Sequence, residues 1–432
     1  MLLPDESRPS AFHSQTRGHD THRGQTSAEV FATILLKGPL TRTELATHTS
    51  LSPATITKLV APMLQDGLVL EDAEDRDDRP GRPARPIHVN KNRLFVFGVK
   101  LIGPVASSPD KIGQVIGAIT NLGAEVVASD RWSLWSTEPD EVIRTVASLV
   151  RKLRKASPKM DKNLIGIGAD IGGHVDSVAG EVRFSPSFKW RNVPLAARLT
   201  DATGLHSVVQ NNVKSYAILE QWFGEGRMHS SYAVVLVGSR FGAGVILNNQ
   251  LFYGGTGLAG EIGHIVVEPD GPECRCGNRG CLWSVASHAG ILRSIQAGGG
   301  PQPGTIEEAI RLADAGNRAA RRAFERGGDA LGRALSTLLN LLNPSRIVLI
   351  GDGVIASTRP NRSYVVYSDL FMDNMLRAMD KYAYGSAFRD CELVIHRHSE
   401  WMSARAAAAV VLRDFITNRL GRFSERGAVE GH

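Results

Sequence analysis

The sequence predicts an α/β protein in two parts: a small three-helix module closed by a two-stranded wing over residues 26–90, then a larger α/β body over 91–432. Three observations predict it. Between Thr26 and Asn90, short apolar stripes of helical period are punctuated by capping residues and prolines. Beyond Arg93, strand-like runs alternate with amphipathic stretches, the pattern of an α/β domain. A histidine and three cysteines crowd into residues 264–281, which points to a metal-stapled loop. The length of 432 residues supports the division, since single cores rarely grow beyond about 250–300 residues.

Residues 1–25 are polar, without apolar period, and read as a flexible tail. Val30, Phe31, Ile34 and Leu35 then form a helical stripe that stops at Gly38-Pro39. Thr41 and Glu44 have capping-box spacing and open a second helix around Leu45. Ser52-Pro53 supplies an N-cap residue followed by proline at the first helical position, where a missing N–H costs nothing. In the third helix Ile56, Leu59, Val60, Met63 and Leu64 share one buried face, which turns Ala54, Thr57, Lys58 and Ala61 outward. Pro62 is expected to bend or end this helix early. A strand from Gly67 pairs with Ile87-His-Val-Asn around a charged loop, completing a winged helix-turn-helix.

The outward face of helix three suits the major groove. Its hydroxyl can meet base edges, its methyls thymine, and its ammonium phosphate. Arg82 and Arg85, held extended by the prolines around them, are candidates for the minor groove. The predicted DNA contacts are therefore Ala54, Thr57, Lys58, Arg82 and Arg85. Net charge offers no support, because residues 1–90 hold ten Lys/Arg against twelve Asp/Glu. The acidic run from Glu71 to Asp78 is expected to point away from the duplex.

In the body, strand-like runs fall at Leu94 to Val99, Val115 to Thr120, Leu164 to Ala169, Val208 to Gln210, Tyr232 to Val237 and Ile347 to Ile350. Helical stretches lie near 139–155, 194–203, 214–223, 306–342 and 401–418. The composition, 42% hydrophobic and 22% charged, is that of a globular chain. No apolar run approaches the ~20 residues of a membrane helix, and the first 25 residues lack a signal-peptide core, so a cytoplasmic protein without membrane contact is expected.

His264, Cys274, Cys276 and Cys281 supply one imidazole and three thiolates, a closed set that leaves no position for water and reads as structural zinc. Cys391 has no sequence partner and reads as a small buried hydrophobe.

His264 with Cys-Arg-Cys-Gly-Asn-Arg-Gly-Cys resembles the zinc signature of the ROK family of repressors, open reading frames and sugar kinases. The similarity runs over roughly 91–410. It includes the segment from Ser185 to Trp190, Val208-Val-Gln-Asn211-Asn212, Trp222-Phe-Gly-Glu-Gly-Arg, and the run from Phe252 to Glu261. Leu51-Ser-Pro-Ala-Thr and Gly81-Arg-Pro-Ala-Arg are similar to the family's regulators. The resemblance implies a two-lobed, actin-like (ribonuclease H-like) sugar-kinase fold behind the winged helix-turn-helix, with the C-terminal helix returning to the first lobe. It also implies Asn211, Asn212, Glu261 and His264 as remnants of a sugar site.

The departures from the kinase pattern bear on function. Lys100 stands where family kinases carry the aspartate of the first phosphate loop. Gln210-Asn211-Asn212 replaces Glu-Asn-Asp, and an amide cannot take the substrate proton at neutral pH. The second phosphate loop contains Arg240 and Phe241, whose bulk is expected where nucleotide would approach, and Trp283 replaces a sugar-binding glutamate. Gly168-Ala-Asp170-Ile-Gly172-Gly173 imitates the missing phosphate loop, but its position favours a tight turn. The expectation is a DNA-binding repressor without catalytic residues, homodimeric or homotetrameric on a palindromic operator, sensing a sugar or sugar phosphate. A working sugar kinase with a DNA-binding appendage and a scaffold that binds no DNA remain the alternatives.

Overall fold

A computed structural model describes residues 20–72, 85–104, 113–360, 362–397, 399 and 401–420. They fall into two compact units. One holds the chain up to Phe95 with Asn121–Gly123 and the segment from Leu412; the other holds Val96–Thr120 and Ala124–Val411.

In the first unit, α1 (Asp20–Lys37) precedes α2 (Arg42–Thr49) and α3 (Pro53–Gln65). Helix α1 begins inside the stretch expected to be a tail, because no proline lies between Asp20 and the apolar stripe and Gly24 alone, at a cost of about 1 kcal/mol, does not stop a helix that the stripe has nucleated. The capping box forms as its spacing requires: the Thr41 amide donates to Glu44 Oε2 at 2.7 Å, and the Glu44 amide to Thr41 Oγ1 at 3.3 Å. Ser52 Oγ accepts from the Thr55 amide at 3.1 Å. Pro62 neither ends α3 nor shortens it: the helix runs a further turn to Gln65, and the Pro62 carbonyl accepts from the Asp66 amide at 2.9 Å. The only bond forfeited is the one to the carbonyl of exposed Lys58, so Met63 can still reach the core. Strands β1 (Val69–Glu71) and β2 (Ile87–Val89) pair antiparallel. The turn Phe415–Arg419 at the C-terminal end packs on α1.

The second unit contains two five-stranded sheets. The first is built from β3 (Phe95–Ile102), β4 (Gly113–Asn121), β5 (Val126–Leu134), β6 (Leu164–Ile171) and, after a three-stranded meander β7 (His174–Asp176), β8 (Glu181–Ser185) and β9 (Trp190–Val193), from β10 (Ser207–Asn211). Its order is β10-β6-β3-β4-β5. Helices α4 (Pro139–Ala156), α5 (Pro158–Asp161) and α6 (Leu195–Thr203) interrupt these strands.

Helix α7 (Asn212–Phe223) leads to β11 (Tyr232–Leu236), β12 (Gly242–Leu247) and β13 (Gln250–Leu251). Then follow α8 (Leu282–Ala286), α9 (His288–Ala297), α10 (Ile306–Asp314), α11 (Arg318–Leu342), β14 (Arg346–Gly351), the hairpin β15 (Val354–Ala356) and β16 (Tyr364–Val366), α12 (Asp369–Tyr382), β17 (Glu392–Arg397) and α13 (Met402–Asp414). The second sheet has the order β13-β12-β11-β14-β17. The single helical stretch expected over 306–342 is two helices, divided where Gly316 takes φ 86° and Asn317 caps α11.

Helix α13 serves both sheets. Against the first, the carbonyls of Ala404 and Ala407 would lie 1.8 Å from a Cβ placed on Gly98 or Gly168, so only glycine in β3 and β6 admits this approach. Against the second, Ala406, Ala409 and Val410 join a core with Tyr232, Val234, Ile246 and Val348. Cys391 is buried in the core of the second sheet.

Candidate functional site

Helix α3 presents the face the sequence predicted. Ile56, Leu59, Val60 and Met63 are buried, Leu64 is half-buried, and Ala54, Thr57, Lys58 and Ala61 are exposed. The Thr57 hydroxyl donates to the Pro53 carbonyl at 2.9 Å, which leaves its oxygen outward as an acceptor. Arg85 is exposed beside β2, whereas Arg82 and most of the acidic run lie outside the described residues. At the base of the wing Arg42 pairs with Glu71, and His88 lies 3.2 Å from Asp72.

The four metal-type ligands converge. One donor atom each of His264, Cys274, Cys276 and Cys281 lies within 4.8 Å of the others. Cys274 Sγ is 3.6 Å from His264 Nδ1, and Cys276 Sγ is 3.7 Å from Cys281 Sγ. Bond lengths of ~2.0–2.3 Å to a tetrahedral ion would set such edges at roughly 3.5–3.8 Å, so the donor set fits a four-coordinate metal. The knuckle is formed by backbone: the Cys274 amide donates to the Asn278 carbonyl at 2.8 Å, and the Gly277 amide to the Cys274 carbonyl at 3.0 Å. The backbone at Asn278 draws the Cys276 thiol down to about 7, while burial pushes Cys281 up to about 12. A divalent cation at the centre would favour the thiolate at each sulfur.

Next to this loop lies a polar cleft. Buried beneath its residues is an ion pair that sequence reading did not find. Lys100 in β3 and Asp170 in neighbouring β6 are both buried, with Nζ 3.0 Å from Oδ1. That distance gives charge contact, yet among the described residues neither group has a partner in good hydrogen-bonding geometry. Burial pushes the Asp170 carboxyl up to about 6 against the pull of Lys100, and lowers Lys100 against the pull of Asp170. The signal was present: a lone lysine in Phe-Val-Phe-Gly-Val-Lys-Leu-Ile and a lone aspartate in Leu-Ile-Gly-Ile-Gly-Ala-Asp-Ile each demand a buried counter-charge.

The residues expected at a sugar site divide. Asn211 caps α7: its Oδ1 accepts from the Val213 amide at 3.0 Å and its Nδ2 donates to the Gly173 carbonyl at 2.8 Å, so most of its hydrogen-bonding capacity serves the fold. Asn212 is buried near Gly172. Glu261 is exposed, yet partial desolvation raises its carboxyl against His264, Lys214 and His174. Lys214 and His174, which the sequence reading missed, hold the Phe252–Glu261 loop: Lys214 Nζ donates to the Gly257 carbonyl, and His174 Nε2 contacts the Thr256 carbonyl at 2.7 Å. With Nδ1 turned to the metal position, His264 retains only Nε2 for another partner.

Opposite, the turn Gly238–Gly242 is held by the Ser239 amide donating to Asp352 Oδ1 at 3.0 Å and by the Tyr367 hydroxyl donating to the Gly238 carbonyl at 2.9 Å. Its two bulky side chains part. Phe241 is buried in the core of the second sheet, so its bulk lies away from the cleft, whereas Arg240 extends to Gly172. Trp283 donates to the Ser239 carbonyl at 3.1 Å and stands between Arg275 and Arg293, with ring-centroid distances of 4.7 and 5.6 Å.

The chain is 33% identical to a glucokinase of Thermotoga maritima over 61% of this chain and 83% of that protein. It is 25% identical to a xylose repressor of Caldicellulosiruptor bescii over 90% of this chain and 95% of that protein. The crystal structure of a ROK family transcriptional regulator, a homolog of the E. coli MLC protein, shares the fold with a TM-score of 0.78 at 24% identity, covering 95% of this chain and 100% of that one. Residues 113–413 match the model of the ROK family. The chain therefore belongs to the ROK family.

Proposed function

We propose that this chain is a DNA-binding transcriptional repressor whose kinase-like body is catalytically silent, senses a sugar or sugar phosphate, and joins two copies on a palindromic operator. The observation that carries the reading is the exposed row Ala54, Thr57 and Lys58 on a capped third helix whose opposite face buries Ile56, Leu59, Val60 and Met63. Such a helix offers a groove short side chains, a hydroxyl acceptor and one phosphate-seeking ammonium. Likeness to a repressor over nine-tenths of the chain supports it.

Silence of the body rests on chemistry. A phosphoryl-transfer site needs a carboxylate for the metal and a base for the sugar hydroxyl. The buried Lys100–Asp170 pair and the Asn212 amide provide neither. The ion at the His264, Cys274, Cys276 and Cys281 set is proposed to be zinc, which supplies cross-linking rather than catalysis because four protein ligands leave it no open position.

The test is recovery of genomic DNA fragments by purified zinc-loaded protein, repeated with Lys58→Ala and Arg82→Ala. The expected result is a shared palindrome whose affinity both changes weaken, with K58A reducing the slope of log affinity against log salt by about 1. Recovery of no fragment at low salt would overturn the reading. Turnover of ATP with a hexose would overturn the silent body and favour the kinase alternative, for which the identity to a glucokinase speaks.

A further inference from the structure

The Arg240 guanidinium is half-buried, and among the described residues it forms no hydrogen bond or ion pair. It stands at Gly172, where an added Cβ would lie 2.7 Å from Nη1 and 3.9 Å from Asn212 Oδ1. The Asn212 side chain, itself more than nine-tenths buried, likewise has no hydrogen-bond partner among the described residues. An unpaired guanidinium and an unpaired amide, whose Oδ1 is the nearer atom, thus flank a position with no side chain to fill it.

The negative charge of Asp352 favours the charged Arg240, but the two form no ion pair among the described residues, and Asp352 accepts from the Ser239 amide; Asp170 is in contact with Lys100. Lys100 and Arg275 both add positive potential at the guanidinium. Enclosing a cation without a direct partner is unfavourable. A group that is accessible from a cleft and unmet by the protein is set up for an anion from solution, and a guanidinium matches phosphate or carboxylate in two-pronged geometry.

We propose that Arg240, with Asn212 beside it, is an anion subsite, and that the ligand of this cleft is an anionic sugar derivative, either a phosphate ester or a sugar acid. The proposal rests on the reading of the cleft as an effector site. The anionic group sits on Arg240 at Gly172, and the sugar hydroxyls face Glu261. A neutral sugar leaves the guanidinium unpaired and binds weakly. Arginine in this turn thereby converts a loop that would approach a nucleotide into a selector for charged sugars.

The test uses the full-length zinc-loaded protein, with thermal shift and titration calorimetry against inorganic phosphate, glucose 6-phosphate, gluconate and glucose. At least one anionic probe is expected to bind saturably and raise the melting temperature, at least tenfold more tightly than glucose. Arg240→Gln is expected to weaken that probe tenfold or more while keeping or raising the melting temperature of the unliganded protein, because it removes an unpaired enclosed charge. Arg144→Gln, an equal charge change at an exposed site, is expected to leave binding unchanged. Equal binding by R240Q, a glucose affinity matching that of the anions, binding by none of the four probes, or a fall in the unliganded melting temperature of R240Q each overturns the proposal. DNA retention by the same preparation separates the two readings: a protein that recovers its operator but binds no anion remains a repressor and loses only this subsite.

Discussion

Two buried opposite charges at 3.0 Å, Lys100 and Asp170, hold each other in a place neither would occupy alone. Taking both from water costs about as much as their attraction returns, so the pair adds little net stability, yet removing one partner leaves the other uncompensated. Lys100→Met is expected to cost about 3–5 kcal/mol in denaturant unfolding at pH 7, and the double change K100M with Asp170→Leu to recover most of it. The deficit should also depend on pH. Asp170 already has a folded-state pKa of about 6, above its ordinary 3.8, so its contribution to stability is fully present below about 3.8 and is lost as pH rises through 6. Without Lys100 that pKa rises further, and at pH 5 the carboxyl is protonated. K100M should therefore be closer to wild type at pH 5 than at pH 7; a deficit that widens on acidification would refute the pairing.

At the scale of an element, helix α2 shows how much a short segment owes to its first turn. Eight residues cannot hold a helix on propensity alone, and its buried anchors are few, Leu45 and Thr49. The reciprocal Thr41–Glu44 bonds satisfy two orphan amides at the start of a helix that packs on α1 and α3. Thr41→Ala is expected to lower stability by about 1 kcal/mol and to weaken operator binding through the angle of α3, whereas Thr41→Ser should retain both. Helix α3 depends on packing instead: Met63 beyond Pro62 is 1% exposed, and that burial carries the helix past a residue that breaks helices in isolation.

For the whole molecule, the metal loop is bound into the body through more than its four ligands. Arg275, between two of the cysteines, stacks on Trp283, whose indole N–H holds the Ser239 carbonyl next to Arg240. The knuckle is thus in contact, through Trp283, with the turn that carries Arg240. Removal of the ion with a strong chelator should release about one zinc per chain. It should also lower the melting temperature by at least ~5 °C, with Cys281→Ser giving the same shift without chelator. A chelated protein that keeps its melting temperature would show that the backbone of the knuckle suffices.

The sequence by itself determined what depends on neighbours along the chain. It marked the caps at Thr41 and Ser52, the two faces of α3, the alternation of strands and helices, and a Cys3His set confined to one loop, because each is written in periods and spacings of a few residues. Strand β5 escaped notice because it is an edge with one mostly solvated run, Val-Val-Ala-Ser-Asp-Arg-Trp, and carries no buried alternation. The cleft was legible only as a list of residue types. Tertiary structure decided that Lys100 meets Asp170, that Arg240 reaches Gly172 while Phe241 turns into the core, and that Asn211 serves its own helix. Those outcomes depend on which distant segments the two sheets and the shared helix α13 bring within a few ångströms, and no local pattern encodes that distance.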